Sequence, residues 1–265
     1  MLGNITLGQF FPGDSLIHRM DPRAKLVLTI ALIVAVFVAK GFLSYAVVFA
    51  FILMTAMISQ ISLKLIIRAI RPILFIVALT FVLNMFFSSG GNVIFQWAFM
   101  TITDQGLQMA SYMAIRLVLL VMGTQLLTLT TSPIALTDGI ESLLRPLSKI
   151  GFPAHELAMM MSIALRFIPT LMEEADKIMK AQMARGADFE SGNLIQRAKS
   201  MVPLLVPLFV SAFRRADELA LAMEARCYRG GEHRTRMKVL HFTQIDLGAA
   251  ICLALLIAVV VLLPM

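Results

Sequence analysis

The stretch DPRAKLVLTIALIVAVFVA, residues 21–39, decides how the chain is to be read. Its apolar run, Leu26 to Ala39, lies between Lys25 and Lys40 and looks too short to cross a membrane. Its start changes that. Asp21 is a favoured N-cap residue, and Pro22 then falls at the first helical position, where a missing N–H costs nothing. Counted from Pro22, a helix to Ala39 is about 27 Å long, close to the hydrocarbon core of about 30 Å. Arg23 and Lys25 are expected to snorkel to the headgroups.

Composition extends this reading outward. Hydrophobic residues make up 59% of the 265 and charged residues only 15%, and the mean hydropathy is +0.85. A soluble domain cannot hide so much apolar side chain, and a disordered chain would be far more polar. The short alternating segments of a β-barrel are absent. The net charge of +7 would suggest nucleic acid in a soluble protein. Here the charges are explained by their placement along the chain, and no nucleic-acid partner is expected. Cys227 and Cys252 form no CxxC pair, and His18, His155, His233 and His241 are scattered.

Four further spans follow. Gly41–Leu63 is uncharged and forms a hairpin with the first span. Pro72–Thr103, also uncharged, holds one spanning helix, a loop at Ser88–Asn92 and a short apolar stretch around Trp97, a residue suited to the outer interface. Gln105–Leu129 contains Arg116, and Leu247–Met265 closes the chain. A signal peptide is the weaker reading of the first span, because the preceding segment is long and mixes Asp14 and Asp21 with its basic residues. Of the 23 Lys and Arg residues, 21 then fall on one side, leaving Lys40 opposite and Arg116 within a span. By the positive-inside rule the N-terminus is cytoplasmic and the C-terminus external. An intramembrane arginine is a functional candidate by default. The plainer reading, preferred here, puts Arg116 near the outer end of a tilted helix or pairs it with Asn84.

Between the fourth and fifth spans lies a charged helical insert. Its first helix is expected over Pro133–Lys149, ended by Gly151 and Pro153. The second runs from Pro153 to Arg185 with Gly186 as its stop. The third starts at Asn193 as cap, with Gln196 completing a capping box, and continues to about Arg226. Pro169, Pro203 and Pro207 are expected to kink these helices. The fold class is thus an all-α polytopic membrane protein with five transmembrane helices and three cytoplasmic helices. Residues 1–132 form a four-span membrane domain, 133–238 the insert and 239–265 the last span.

The ends of the two long insert helices repeat at an offset of 41. Residues 173–186 read EEADKIMKAQMARG and residues 214–227 read RRADELALAMEARC. Ala175/Ala216, Asp176/Asp217, Ala181/Ala222, Ala184/Ala225 and Arg185/Arg226 are identical pairs. A single basic helix end is ordinary; two equivalent ends suggest two docking sites for a partner with two similar halves. The insert also holds nine methionines, including Met159–Met161. They suit either an adaptable contact surface or ordinary packing, and packing is at least as good an account. No GxxxxGK[ST], HExxH or GxSxG is present.

The segment Ser15-Leu16-Ile17-His18-Arg19-Met20-Asp21-Pro22-Arg23-Ala24-Lys25-Leu26 resembles that of the energy-coupling factor (ECF) transporter transmembrane proteins, the EcfT/CbiQ family. Ala184-Arg185-Gly186 and Ala225-Arg226-Cys227 resemble the family's paired Ala-Arg-Gly motifs. The likeness covers essentially the whole chain. It implies the T-component of a vitamin or micronutrient importer in a prokaryotic cell membrane, working with two ABC-type ATPases and a membrane-embedded, substrate-binding S-component. The implied docking residues are Ala184, Arg185, Gly186, Ala225, Arg226 and Cys227. The chain itself would be non-catalytic and without cofactor, with ATP and Mg held by the ATPases. Dedicated importers of cobalt/nickel or biotin type belong to the same resemblance. A self-sufficient secondary transporter or a membrane enzyme fits less well, because inverted repeats and clustered intramembrane ionisable residues are missing. Cys227 stands where the second motif has glycine, so the third helix is expected to end later, at Gly230-Gly231.

The charge distribution gives a direct test of topology. A reporter active only outside the cytoplasm, fused after Met265, is expected to be active; activity of a cytoplasm-only reporter there would reverse the assignment.

Overall fold

The structure is a computed structural model that describes residues 10–87, 90, 92–97, 100–189, 193–230 and 239–263. Ser88, Ser89 and Gly91 of the expected loop, Gly231, and the last two residues of the expected fifth span lie outside them. The chain divides into two compact units, one joining Gly8–Gly139 to Val239–Met265 and the other containing Ile140–Lys238.

In the first unit the helices are α1 (Leu16–Arg19), α2 (Pro22–Val38), α3 (Phe42–Ile58), α4 (Leu63–Ile70), α5 (Leu74–Phe87) and α6 (Asp104–Thr130). The start of α7 (Pro133–Leu144) and α11 (Gln244–Leu262) complete it. Among the described residues three stretches are long and apolar enough to cross a membrane: Lys64–Phe87, Asp104–Thr130 and Gln244–Leu262. The helix α3 is apolar but shorter, at 17 residues. The central element is α6, which packs against α2, α3, α4 and α5, while α11 packs on α2 and α3. Val36, Val48, Ile52, Ile66, Leu119 and Leu253 form the buried core. Phe75, Leu255 and Val261 face outward, as apolar side chains do when the surrounding solvent is lipid.

Asp21 caps α2 as expected, accepting the Arg23 N–H at 2.8 Å, and Pro22 occupies the first helical position. The two cations beside it behave differently from expectation. Lys25 does not snorkel: it is 6% exposed, and its Nζ donates to the carbonyls of His18 at 3.2 Å and Thr130 at 2.9 Å. Those carbonyls close α1 and α6, where the helix dipole favours a cation over a distant headgroup. Arg23 binds the Asp21 carboxylate and the Leu240 carbonyl and lies 4.4 Å from the Phe242 ring centroid.

Several boundaries also move. The second span stops at Ile58, not Leu63, because the Ser59 hydroxyl donates back to the Ala56 carbonyl and Gln60 turns left-handed at φ 57°. Lys64 and Arg68 then lie on α4, which continues through a 3-10 turn at Arg71–Ile73 into α5. The stretch around Trp97 is a two-stranded antiparallel hairpin, β1 (Val93–Trp97) with β2 (Met100–Thr103). It is rich in β-branched and aromatic residues and too short for a stable isolated helix. Among the described residues the regular structure is therefore helical apart from this hairpin. Arg116 pairs with the Tyr45 hydroxyl at 2.9 Å and sits 5.4 Å from the Phe37 ring centroid, whereas Asn84 donates to Thr80 on its own helix. Phe37 and Tyr45 flank the α2–α3 turn, so Arg116 stands at the end of those helices opposite Asp21.

The last span begins three residues before Leu247, in a capping box the sequence reading passed over. Thr243 is its N-cap, and Asp246 Oδ2 accepts the Thr243 N–H at 2.7 Å and hydroxyl at 2.9 Å. Asp246 Oδ1 accepts the Asp21 N–H at 2.9 Å. One buried carboxylate thus ties together the starts of α2 and α11.

In the second unit, α7 gives way to a 3-10 turn at Arg145–Ile150, tightened because Pro146 lacks the N–H that a continuing α-helix needs. Gly151 ends it at φ 87°. The long helix α8 (Ala154–Ala184) runs through Pro169, and α9 (Leu194–Ser200) is separated by Met201 from α10 (Val202–Ala225). The expected single third helix is therefore two, with Pro203 at the start of the second. Half of the expected capping box is present, the Asn193 N–H donating to Gln196 at 3.2 Å.

Replacing Asp246 with Ala strands the buried Asp21 N–H and removes the capping box at Thr243. It is expected to destabilise the membrane unit by about 2–3 kcal/mol, read as a lowered unfolding midpoint in detergent.

Candidate functional site: the twin ends of the long helices

The site is built from the C-terminal ends of α8 and α10. A helix leaves its last four carbonyls unpaired, and a left-handed residue just past the end lets following N–H groups turn back to them. At α8, Gly186 takes that conformation at φ 91°. Its N–H donates to the Met183 carbonyl at 2.9 Å, and the Ala187 N–H donates to Gln182 at 3.0 Å. At α10, the Cys227 N–H donates to Glu224 at 2.8 Å and the Tyr228 N–H to Met223 at 3.0 Å. Each bond of the first end recurs in the second, 41 positions on.

This overturns the expectation that the third helix runs on to Gly230. It ends at Ala225, with Arg226 as its cap residue, and Cys227 itself adopts φ 56°. The capping hydrogen bonds hold a β-carbon in a backbone region that glycine enters freely. Ala184, Arg185, Gly186, Ala225, Arg226 and Cys227 are all exposed, and neither arginine makes an ion pair among the described residues. Ala181 and Ala222, one turn behind, are exposed as well. Each end therefore presents a free guanidinium beyond a slim, small-residue helix surface. A planar guanidinium with five donors suits bidentate binding of a carboxylate.

A second feature escaped the sequence reading. Where α8 packs on α10, Glu174 accepts from the Ser211 hydroxyl at 2.5 Å through Oε1 and from Arg215 at 2.8 Å through Oε2. The Ser211 hydroxyl first, and then the Arg215 guanidinium, hold the Glu174 carboxyl below its ordinary pKa against the opposing effect of burial. The signal was available: the offset of 41 that aligns the arginines also places Glu174 over Arg215, opposite charges at equivalent positions. His155 pairs with Glu141 at 3.0 Å. No cluster suited to a metal ion occurs among the described residues.

The strained cap makes a prediction. Cys227→Gly relieves the left-handed conformation and is expected to stabilise the end of α10 by about 1 kcal/mol. Amide exchange over residues 223–228 should slow; unchanged or faster exchange would mean that Cys227 carries no strain.

Comparison with known proteins gives the family. The family model described as "Cobalt transport protein" (CbiQ) matches residues 13–237. The chain is 62% identical over 252 residues to a protein of Thermosediminibacter oceani named "Energy-coupling factor transporter transmembrane protein EcfT", covering 95% of each chain. Proteins of the same name from Clostridium kluyveri and Bacillus subtilis are 56% identical over 263 residues and 48% identical over 258. The first covers 99% of this chain and 97% of the relative, the second 97% of each. With the match running from the cap of α1 through both helix ends and into the segment before α11, the chain belongs to the CbiQ family of transport proteins.

Proposed function

We propose that this chain is the T-component of an energy-coupling factor importer. It is the membrane subunit that passes work from two ABC-type ATPases to a substrate-binding S-component carrying a vitamin or another micronutrient. The observation that carries the reading is the pair of identically capped ends, each presenting on a slim helix an arginine that makes no ion pair among the described residues. Two equivalent ends fit two equivalent ATPase grooves. Ala184, Arg185 and Gly186 enter one, and Ala225, Arg226 and Cys227 the other.

The remaining features agree with that role. Beyond the three long apolar stretches, α2 and α3 at about 26 Å each bring the number of spans to five, with the N-terminus in the cytoplasm of a prokaryotic cell. Leu205, Val206, Phe209, Val210 and Phe213 form an exposed apolar stripe at helical spacing on α10. Such a stripe suits contact with a membrane-embedded S-component. The chain does no catalysis of its own; ATP and Mg are bound by the ATPases.

Charge reversal at the tips tests this. Losing one charge-assisted contact at a buried interface costs about 2–5 kcal/mol of binding, much of it from the partner group left unpaired. The second site still tethers the complex at high effective concentration, so Arg185→Glu or Arg226→Glu alone is expected to weaken uptake. The double variant is expected to reach the membrane but lose co-purification with the ATPases, or uncouple hydrolysis from uptake. Normal assembly and transport by the double variant would mean that the ends are ordinary helix termini.

A further inference from the structure

The two arms of the insert are equal. From Glu174 to Arg185 on α8 is 11 residues, and from Arg215 to Arg226 on α10 is again 11, about 16 Å of helix in each case. The Glu174–Arg215 pair therefore fastens α8 to α10 at points equidistant along each helix from its own tip. The rest of the contact between the two helices is made by half-buried side chains, among them Leu204, Leu208 and Leu219 of α10. Among the described residues, α10 has no buried side chain, and the buried residues of α8, Ala154 and Ala158, lie some four turns or more before Glu174. A seam of half-buried side chains resists sliding by a turn less steeply than a fully buried, interdigitated one. A carboxylate gripped at both oxygens by different groups on the neighbouring helix supplies a definite register instead.

We propose that Glu174, with Ser211 and Arg215, is a positioning pin that sets the register of α8 against α10 and so holds the two arginine tips at matched reach. The pin touches no substrate or nucleotide. It acts through Arg185 and Arg226, and its role in coupling rests on the T-component reading above. A half-exposed ion pair contributes little to stability, so its loss leaves the helices folded and alters where their ends stand. A slip of one turn on one helix displaces its tip by about 5 Å relative to the other.

Two measurements test it. The first uses the full chain in detergent, without partners, with nitroxide labels on Lys180→Cys and Leu221→Cys in a background lacking the native cysteines. These exposed positions are equivalent at the offset of 41. The unmodified pin is expected to give one narrow distance distribution. Glu174→Gln, which keeps the side-chain size, and Arg215→Ala are expected to broaden it or move it by about 5 Å, one helical turn. The double exchange Glu174→Arg with Arg215→Glu is expected to narrow it again.

The second measurement uses the complex with its ATPases and an S-component in liposomes. The single variants should still assemble, because the tips are intact. Uptake per ATP hydrolysed should fall by about threefold or more, as for other positions that modulate coupling without touching a ligand, and the charge exchange should restore part of it. An unchanged distance distribution in Glu174→Gln overturns the pin. So does a variant that fails to assemble and is not rescued by the exchange, since the pair would then be needed for folding. If the wild-type chain binds no ATPase, the T-component reading fails while the distance measurement still judges the pin.

Discussion

The membrane unit depends on a single buried carboxylate. Asp246 accepts from the Asp21 backbone and from both the backbone and hydroxyl of Thr243. These residues are separated by more than two hundred positions, and the whole insert lies between them. Bringing such distant segments together carries a chain-closure entropy that grows only slowly with length, so one well-satisfied node can hold them. The node also meets a requirement specific to membranes. The first N–H groups of α2 and α11 lack intrahelical partners, and at the edge of a bilayer they must find protein partners or interfacial water. Asp21 and Asp246 supply them, and the acidic charge suits the positive end of each helix. Lys25 does the converse work on the carbonyls that close α1 and α6.

Features written in adjacent residues were legible in the sequence. Asp21 followed by Pro22 announces the start of α2, and Gly151 and Gly186 mark ends where the chain needs a left-handed residue. The apolar lengths located α6 and α11 within three residues. What could not be read was whatever depends on a partner far along the chain. Lys25 looks like a snorkelling interfacial cation until the ends of α1 and α6 are brought to it. Arg116 has no visible partner until the α2–α3 turn places Tyr45 beside it. The hairpin at Val93–Thr103 was hidden for another reason: in an uninterrupted uncharged run, hydropathy reports apolarity and is silent about backbone conformation. Pro146 was a plain local signal for the 3-10 ending of α7, and it was overlooked.

The candidate site divides in the same way. The repeat at an offset of 41 gave both arginines and their alanines without any structure. Cys227 is the position where residue preference and structure disagree. Cysteine disfavours a left-handed backbone, so an ending at Gly230 seemed cheaper. The capping bonds of residues 227 and 228 to the last turn outweigh that preference, because unpaired helix-end carbonyls cost as much as the strain they offset. Tertiary and hydrogen-bond context overriding residue preference is the usual reason such readings fail. Here it preserves the equivalence of the two ends.

That equivalence carries a consequence for how the two units are stabilised. The membrane unit has a continuous buried core and a buried polar node at Asp246, so its helices are held by neighbours on several sides. The long insert helices are different: α10 buries nothing completely, and its apolar stripe from Leu205 to Phe213 is open. In most proteins helical stability comes from packing an apolar face, with propensity a weak support. In the absence of a fully buried face, the caps and polar contacts such as Glu174 with Arg215 carry more of the helix's local order. Structure that is fixed at its ends and crossing point but open along its face can change partner contacts without unfolding, which is what transmission of work through a helix requires.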